Sequence, residues 1–463
     1  MTTKRSVMVL AAGQGTRMKS SLPKVLHRVA GVPMVIFPIE NAFAAGADEV
    51  IVVVGHAREQ VEALVTQRFG SRVKFAVQTE QRGTADAVRA GLAQVGSDAT
   101  DVVITYGDCP AVPVEAIAAL IRAKESSGKL CALITTELPD PTGYGRILRD
   151  ATGGVRAIRE HKDCTPEERA VRTVNPGLYA IDRAFLAEAL GSIKSANAQG
   201  ELYLTDLVEI AHGRGGVADV SWEAQVLRGV NDRAELAELE TLVRKSLGDR
   251  HRRNGVTIDA TAIIDRDVEI GSDAIIGPNV CLRGASRIGT GATVDAGSII
   301  DASTIGPGSL VKPYSIVVNS VVGANTQIGP FAHLRPESVV EDEAHVGNFV
   351  ELKKTRLGRG AKANHLAYLG DGDVGAKANI GAGTIFCNYD GYQKHKTTIG
   401  EGAFVGSNSS LVAPVTIADG AYVGSGSVVT QNVPSGALAI GRAKQVNKEG
   451  YAERLRGMKA KKK

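Results

Sequence analysis

Residues 255–300 decide the fold of the carboxy-terminal half, and they read GVTIDATAIIDRDVEIGSDAIIGPNVCLRGASRIGTGATVDAGSII. An aliphatic residue recurs at every sixth position, often followed by glycine, and no α-helix or ordinary β-strand has a period of six. The pattern therefore indicates a repeat architecture. The evenly spaced residues are Ile258, Ile264, Ile270, Ile276, Leu282, Ile288, Val294 and Ile300.

The same register, with occasional five-residue steps, continues almost to the end of the chain. It predicts a parallel β-helix in which the aliphatic residue of each hexapeptide points inward and about eighteen residues make one coil. Two segments, Leu357 to Leu369 and Cys387 to Lys396, interrupt the repeat, and we expect loops that carry chemistry there. The further repeat positions are Ile305, Val311, Val317, Val322, Ile328, Leu334, Val340, Val346, Leu352, Ile399, Val405, Leu411, Ile417, Val423 and Val429. The repeat resembles that of hexapeptide acyltransferases, which implies a left-handed coil.

The amino-terminal half alternates short β-branched runs with helical stretches. The runs SVMVL, VIVVVG, VKFAVQ, DVVITYGD and LCALITT predict a mostly parallel sheet covered by helices, an α/β Rossmann-like domain over residues 1–230. Leucines at helical spacing after Asp232 predict a linker helix over residues 231–254. The β-helix domain then occupies residues 255–463, ending in a flexible tail from Arg454 to Lys463.

Composition excludes several classes of partner. The chain has 463 residues and 54 lysines and arginines against 50 acidic residues, so a formal charge of +4 gives no case for nucleic acid or a membrane surface. No segment resembles a signal peptide or a membrane span. The five cysteines lie far apart and predict free thiols in a cytoplasmic protein. They are Cys109, Cys131, Cys164, Cys281 and Cys387.

The first predicted strand runs into LAAGQGTRM, residues 10–18, and LPK follows at residues 22–24. A glycine-rich turn after a strand exposes backbone N–H groups that can bind phosphates, and Arg17 and Lys24 add positive charge. The glycines alone fit a tight strand-to-helix turn equally well. Asp108 follows another predicted strand; a helix cap or a turn residue is the plainer interpretation, but the carboxyl end of a strand, where open α/β sheets bind ligands, favours a metal ligand. Asn231 is equally a metal ligand or a helix cap.

Together these segments resemble the signature of sugar-1-phosphate nucleotidyltransferases. The resemblance implies in-line attack of a sugar phosphate on UTP, with Arg17 and Lys24 as catalytic cations and Mg²⁺ on Asp108 and Asn231. It also implies uracil, phosphate and acetylated-sugar contacts along the chain. The residues implied to bind UTP or the nucleotide sugar are Leu10, Ala11, Ala12, Gly13, Lys24, Gln78, Gly83, Thr84, Tyr106, Gly107, Asp108, Gly145, Glu160, Asn175 and Asn231.

Polar side chains crowd three segments of the repeat region: LRP at residues 334–336, NFVELKK at 348–354 and NHLAYLGD at 364–371. A lone histidine is usually unremarkable, but His365 stands in this cluster. Glu351 lies fourteen residues earlier, near enough for neighbouring coils if a loop intervenes. The pair would then be a general base and the carboxylate that orients it.

These segments resemble the family of bifunctional N-acetylglucosamine-1-phosphate uridyltransferases and glucosamine-1-phosphate acetyltransferases, and the likeness covers nearly the whole chain. It implies that His365 takes a proton from the amine of glucosamine-1-phosphate as the amine attacks acetyl-CoA, with Glu351 steadying the imidazole. The second site then joins N-acetylglucosamine-1-phosphate to UTP, giving UDP-N-acetylglucosamine for peptidoglycan and lipopolysaccharide precursors. The family also implies a homotrimer.

The resemblance assigns the remaining residues to two groups. Each has a plainer alternative: a solvated coil face for Arg335 and Lys353, a polar turn or stack for Asn379 and Asn388, and backbone contacts for the serines. The implied acceptor-binding residues are Arg335, Lys353, Tyr368 and Asn379; those for acetyl-CoA are Ala382, Asn388, Tyr389, Ser407, Ser425 and Arg442. The rival interpretations are a monofunctional sugar-1-phosphate nucleotidyltransferase with a structural β-helix, and a β-helix that is a passive oligomerisation or regulatory scaffold.

Overall fold

The computed structural model describes residues 4–460. The chain divides into two compact units, and the boundary falls between Ser246 and Leu247, within the long helix that was predicted as a linker. Each unit has its own hydrophobic core.

The first unit is built on a ten-stranded sheet with the order β5-β4-β1-β6-β11-β7-β10-β8-β9, and β12 pairs with β7. β2 and β3 form a separate small ladder. The strands are β1 Arg5–Leu10, β2 Arg28–Val29, β3 Val32–Pro33, β4 Glu49–Val54, β5 Val73–Val77, β6 Asp101–Tyr106, β7 Cys131–Glu137, β8 Gly145–Arg149, β9 Val155–Arg159, β10 Thr173–Asn175, β11 Tyr179–Asp182 and β12 Val217–Ser221.

Helices cover this sheet and one of them crosses the boundary between the units. They are α1 Ile36–Ala44, α2 Arg58–Phe69, α3 Thr84–Leu92, α4 Val114–Ser127, α5 Pro166–Arg169, α6 Arg183–Leu190, α7 Asp206–Arg214, α8 Ala224–Leu227 and α9 Arg233–Arg253. Short 3₁₀ helices span Thr16–Met18, Lys24–Leu26, Gly70–Arg72 and His161–Asp163.

The sheet is mixed, which corrects the prediction of a mostly parallel one. The five predicted runs are all strands (β1, β4, β5, β6 and β7), and the pairs of β1 with β4 and β6 are parallel. However, β11 lies antiparallel between β6 and β7, and β8, β9 and β10 pair antiparallel. Their sequences, such as GRILR and VRAIR, place an arginine on each side of a two-residue apolar pair, so neither strand contains a continuous apolar run that would indicate it.

The second unit is a three-sided parallel β-helix, as predicted. Face 1 has 11 strands, face 2 has 10 and face 3 has 9, and successive coils pair in parallel at offsets such as Ile258 to Ile276 and Val346 to Ala363. The strands of face 1 are Thr257–Ile258, Ile275–Ile276, Thr293–Val294, Leu310–Val311, Gln327–Ile328, His345–Asn348, Lys362–His365, Asn379–Ile380, Phe404–Val405, Tyr422–Val423 and Leu438–Ala439.

Faces 2 and 3 complete each coil. Face 2 contains Ile263–Ile264, Cys281–Arg283, Ile299–Asp301, Ile316–Val318, His333–Leu334, Glu351–Lys353, Tyr368–Gly370, Ile385–Cys387, Ser410–Val412 and Val428–Val429. Face 3 contains Glu269–Ile270, Arg287–Ile288, Thr304–Ile305, Val321–Val322, Val339–Val340, Arg356–Leu357, Gly372–Val374, Thr397–Ile399 and Val415–Ile417.

The predicted inward residues form one continuous core, and only Ile270 among them is partly buried. The segment Leu357 to Leu369 does not leave the coil, which corrects the sequence prediction. Ala363 is fully buried at the sixth position and is simply a smaller inward residue than its neighbours. The second predicted interruption is confirmed, because residues 388–396 loop out between strands Ile385–Cys387 and Thr397–Ile399.

The carboxy-terminal segment also differs from its prediction. Residues Tyr451–Ala460 form helix α10 instead of a flexible tail, because residues 451–460 are mostly good helix formers. Residues 461–463 of that predicted tail lie outside the described part. Over residues 4–460, no helix combines the length and the apolar character needed to cross a bilayer. All five cysteines are free, as predicted.

Candidate functional sites

A cavity of about 330 Å³ opens at the carboxyl ends of β1 and β6. Most of the residues predicted to bind the nucleotide meet there, on three separate stretches of the chain. Those that line it are Leu10, Ala11, Ala12, Gly13, Lys24, Gln78, Gly83, Thr84, Tyr106 and Asp108. Val25, Gln81, Ala87 and Glu201 also line it and were not predicted.

The glycine-rich turn leaves room for a ligand at one position and packs tightly at another. A Cβ atom added to Gly13 would meet no heavy atom within 4 Å, so the backbone there faces open space. Gly15 has φ +63°, and an added Cβ would lie 2.5 Å from the Cβ of Lys24. The turn therefore brings Lys24 against the loop and into the cavity.

Four predicted polar residues converge beside this turn. The Lys24 ammonium forms an ion pair with Asp108 and approaches Asn231 Oδ1 at 3.4 Å. Arg17 donates to the same Asn231 oxygen at 2.8 Å. Asp232, whose carboxylate accepts from the backbone N–H of Ala234 and Glu235, caps α9, so the cap role left open for Asn231 belongs to its neighbour.

Asp108 and Asn231 fit the donor set of a magnesium site. Carboxylate and amide oxygens are the ligands that Mg²⁺ prefers, and here both already contact a single cationic atom, the Lys24 ammonium. Over residues 4–460, no group of three or more histidine, cysteine, aspartate or glutamate side chains could hold a metal. An ion here would thus take its other ligands from substrate phosphates and water, as Mg²⁺ usually does.

Gly145, Glu160 and Asn175 form a second group in the same unit. Gly145 pairs with Asn175 across β8 and β10, and an added Cβ on Gly145 would lie 3.5 Å from Glu160 Oε1. Glu160 accepts a hydrogen bond from the Thr205 hydroxyl at 3.0 Å, and burial raises the pKa of its carboxyl group. The structure thus brings together the three residues predicted to contact the acetylated sugar.

Tyr106 links the two groups. It lines the cavity, and an added Cβ on Gly177 would overlap its ring. Burial, together with the nearby carboxylates of Glu160 and Asp108, raises the pKa of its phenol, which stays neutral. Gly107 follows at the strand end and donates its N–H to the Leu10 carbonyl at 2.9 Å.

On the β-helix, His365 is exposed at the corner between faces 1 and 2. Its Nδ1 lies 2.6 Å from Asn348 Oδ1, on the preceding coil. Because an amide oxygen only accepts, Nδ1 donates, and Nε2 keeps a lone pair directed away from the coil partner. His365 is therefore arranged as a proton acceptor.

The predicted orienting carboxylate does not touch this imidazole. Glu351 pairs with Arg335 at 2.8 Å and lies in register with Tyr368 on face 2. The partner is Asn348 because one coil here is seventeen residues long, whereas Glu351 is only fourteen residues before His365 and falls on the next face. The sequence signal for Asn348 was thus the coil length itself.

The predicted acceptor-binding residues lie on two faces of the coil. Glu351 and Tyr368 share a register on face 2, and Lys353, paired with Gly370, is on the same face. The backbone N–H of Arg335 donates to the Leu352 carbonyl, so Arg335 lies beside these face 2 residues. Asn379 pairs with Lys362 and Phe404 on face 1, so a single coil does not bring it to the others.

The corner that carries His365 continues as a column of small residues. The Asn408 N–H donates to the Ala382 carbonyl at 2.7 Å and the Gly426 N–H to the Ser407 carbonyl at 2.8 Å. Ala382, Ser407 and Ser425 therefore occupy this corner on successive coils, which are about 4.8 Å apart. Arg442 lies beyond them, its Cδ 3.7 Å from a Cβ added to Gly426.

Asn388 and Tyr389 belong to the loop of residues 388–396. Asn388 is buried and its amide donates to Asp371, which fits the structural role considered as its alternative. Tyr389 is exposed and donates its hydroxyl hydrogen to the Gly391 carbonyl at 2.6 Å. Their contact with a cosubstrate stays a prediction.

Comparison with known proteins assigns both halves. Residues 7–171 match a family described as MobA-like NTP transferase domain. Residues 256–357 match a family described as GMPPB C-terminal domain, and residues 396–431 match Bacterial transferase hexapeptide (six repeats). The predicted fold class, an α/β nucleotidyltransferase domain followed by a left-handed β-helix, is confirmed.

Relatives match along the whole chain. The protein is 53% identical to the Bifunctional protein GlmU of Sorangium cellulosum, over 98% of this chain and 97% of the relative. It is 50% identical to that of Anaeromyxobacter sp. strain Fw109-5, over 98% and 93%. It is 44% identical to that of Geobacillus thermodenitrificans, over 98% and 99%.

Proposed function

The chain belongs to the family of bifunctional GlmU proteins, and from this membership we propose that it makes UDP-N-acetylglucosamine at two separate sites. It transfers acetyl from acetyl-CoA to glucosamine-1-phosphate, and then uridylyl from UTP to N-acetylglucosamine-1-phosphate, releasing pyrophosphate. The observation that carries the proposal is the exposed His365 with a free Nε2 at the head of an open corner of the coil.

In the acetyl step the sugar amine attacks the thioester carbon, the carbon–sulfur bond breaks and the CoA thiolate leaves. His365 Nε2 accepts the proton that the amine loses and returns it to the thiolate. Asn348 holds Nδ1 and so keeps the lone pair on Nε2. The bonds formed and broken and the proton are thus all accounted for, and the step needs no further reactant.

Charge on face 2 supports a site for the sugar phosphate. Arg335 and Lys353 lie on that face, and the guanidinium of Arg335, whose side chain is 41% exposed, is held by Glu351 at 2.8 Å. A guanidinium held in this way is pre-oriented for a second anion. Tyr368, in register with Glu351, supplies the neighbouring contact for the amino sugar.

The column of Ala382, Ser407 and Ser425 supports a track for acetyl-CoA. The neighbouring corner positions beyond His365 are Gly383, Asn408 and Gly426. The Asn408 side chain lies over Gly383, whereas a Cβ added to Gly426 would make only an ordinary contact, with Arg442 Cδ at 3.7 Å. Arg442 adds a cation at the far end, where the phosphates of an extended carrier would reach. We keep Asn388 and Tyr389 as contacts from the loop.

In the uridylyl step a phosphate oxygen of the acetylated sugar attacks the α-phosphorus of UTP, and pyrophosphate leaves in line. Repulsion between the anions is the main obstacle, and Arg17 and Lys24 offset it from the glycine-rich turn. Mg²⁺, held by Asp108 and Asn231, would neutralise the developing charge on the phosphates. Gly145, Glu160 and Asn175 orient the sugar.

We also propose that the protein is a homotrimer. Asn379 lies on face 1 and Arg335, Lys353 and Tyr368 lie on face 2, so face 1 of one copy must meet face 2 of another to gather them. Along the corner before His365, Tyr314, Phe331 and Phe349 form an exposed ring stack with centroids 5.4–5.5 Å apart. Such an apolar ridge favours burial against a second copy.

The free cysteines support the cytoplasmic location that the sequence predicts. UTP, acetyl-CoA and the two sugar phosphates are the partners of the proposed reaction. Nucleic acid and membranes are not among them.

One coupled reaction tests both activities. The protein is incubated with glucosamine-1-phosphate, acetyl-CoA, UTP and Mg²⁺, and free thiol and the nucleotide sugar are followed by colorimetry and mass spectrometry. We expect His365→Ala to release no thiol but still to convert N-acetylglucosamine-1-phosphate. If the wild-type chain releases no thiol above background, the monofunctional nucleotidyltransferase with a structural β-helix takes its place.

Complementation tests the shared site. Arg335→Ala and Asn379→Ala are each expected to lose acetyl transfer, because each removes one side of the cleft. Mixed assemblies obtained by coexpression should regain part of the activity, since some clefts then contain neither substitution. Activity no higher than that of the separate variants would refute a site made by two copies.

A further inference from the structure

Gln78 is a buried side chain at the wall of the nucleotide cavity, 7% exposed. Its amide nitrogen donates to the Gly83 carbonyl at 3.1 Å and to Asp86 Oδ2 at 3.2 Å. Both partners are acceptors only, and a side-chain amide nitrogen has two hydrogens, so both hydrogens are used. These two hydrogen bonds fix the orientation of the Gln78 amide. Its carbonyl oxygen is then the polar atom that remains to bind a ligand in the cavity.

Both acceptors are themselves held in place. Gly83 has φ +120°, and an added Cβ would lie 2.5 Å from the Leu202 carbonyl, which fixes the backbone at this turn. Asp86, in the first turn of α3, is 8% exposed. Its other oxygen, Oδ1, accepts from Arg82 at 3.2 Å and has Arg89 at 4.0 Å.

We propose that Asp86 is a positioning residue that makes the nucleotide site select uracil over cytosine by fixing the amide of Gln78. This inference rests on the proposed uridylyl transfer. Joined to ribose through N1, uracil has one N–H on its ring, at N3, and an outward carbonyl oxygen on Gln78 can accept from it. Cytosine has a lone pair at N3 and repels that oxygen.

Asp86→Asn is the informative substitution because its orientation is dictated by its neighbours. Arg82 requires the new amide oxygen at the Oδ1 position, which puts the NH₂ group of the substituted side chain opposite the Gln78 NH₂ group. Two donors then face each other, and Gln78 relieves the conflict only by turning its amide. Turning the amide sets its oxygen against the Gly83 carbonyl and presents an NH₂ group, a donor that suits cytosine N3.

The experiment measures kcat/KM for UTP and for CTP with N-acetylglucosamine-1-phosphate and Mg²⁺, in the full chain. For Asp86→Asn we expect the UTP:CTP preference to fall about tenfold, the effect of one hydrogen bond lost or gained. Asp86→Ala should lower it less, because alanine brings no opposing donor. Circular dichroism and thermal unfolding confirm that each variant is folded.

Asp101→Asn is the matched control. Asp101 is also 8% exposed and also ion-paired, to Lys124 at 3.1 Å, but it lies at the other end of β6 and lines no part of the cavity. Its UTP:CTP preference should equal that of the wild type. In Gln78→Met, the added Asp86→Asn change should leave the preference unaltered, because the amide that it acts through is gone.

If folded Asp86→Asn and Asp86→Ala keep the wild-type preference, or lose activity with both nucleotides in proportion, Asp86 is only a first-turn helix residue and the inference is overturned. If the wild-type chain itself fails to use UTP, the proposed function fails, and the inference built on it falls with it.

Discussion

Asn348→Ala should impair acetyl transfer more specifically than any change to Glu351. Among the described residues, 4–460, the His365 imidazole has one hydrogen-bond partner, the Asn348 amide oxygen at 2.6 Å, and that contact decides both the ring orientation and which nitrogen carries the proton. Without it, the exposed ring turns freely, and part of the neutral population carries its proton on Nε2, where it cannot accept another.

The magnitude follows from these two losses. One hydrogen bond and its positioning effect amount to about 1.4–2.7 kcal/mol, so kcat for thiol release should fall about 10- to 100-fold. Uridylyl transfer from N-acetylglucosamine-1-phosphate is the internal control and should not change, because it takes place in the first unit. Asn348→Asp should move the acid limb of the pH–rate profile to higher pH, since a carboxylate raises the pKa of the imidazole.

Glu351→Gln is the comparison that can refute this reasoning. Because Glu351 pairs with Arg335 and not with His365, its substitution should raise KM for glucosamine-1-phosphate and leave the acid limb where the wild type has it. Thiol release is followed at saturating acetyl-CoA across the neutral pH range and about two units to either side of the ordinary histidine pKa. A shifted limb in Glu351→Gln together with a normal kcat in Asn348→Ala would restore Glu351 as the orienting residue.

Further predictions concern the first unit. Asp108→Ala should abolish uridylyl transfer and leave thiol release intact; parallel loss of both activities in a folded variant would contradict separate sites. Gly177→Ala should lower uridylyl kcat/KM about tenfold or more, because its Cβ would overlap the Tyr106 ring and displace it. Burial raises the pKa of Glu160, so its contribution to stability is complete below the ordinary carboxyl pKa and is lost as pH rises through the folded pKa. Glu160→Gln should therefore unfold at higher denaturant than wild type at about pH 7 and at the same denaturant below about pH 4, and equal midpoints at neutral pH would contradict the burial argument.

Local sequence motifs were sufficient to predict most of the residues that line the nucleotide cavity. Gly13 and Asp108 follow strands whose apolar runs are visible in the sequence, and the carboxyl ends of neighbouring parallel strands meet at one edge of a sheet. Gln81 and Glu201 line the same cavity but belong to no motif, and Glu201 reaches it through tertiary packing alone. Strands β8 and β9 were not predicted because arginines interrupt their short apolar pairs, so neither contains a continuous apolar run.

The number of residues in one coil decides which side chain lies beside His365. A coil of three hexapeptides has eighteen residues, but a five-residue turn makes it seventeen, and the residue seventeen before His365 is Asn348. Had the coil been eighteen residues long, Gly347 would have been the neighbour and the imidazole would have no side chain to orient it.

The difference between an amide and a carboxylate at that position matters for the reaction. The base must not only take a proton from the sugar amine but also return it to the departing thiolate. A carboxylate beside Nδ1 would stabilise the imidazolium and oppose the return, whereas the Asn348 amide orients the ring without adding a negative charge. The geometry at this corner therefore suits a base that accepts a proton from the amine and gives it to the thiolate within the same turnover. Acyl transfer from a thioester to an amine needs both proton transfers.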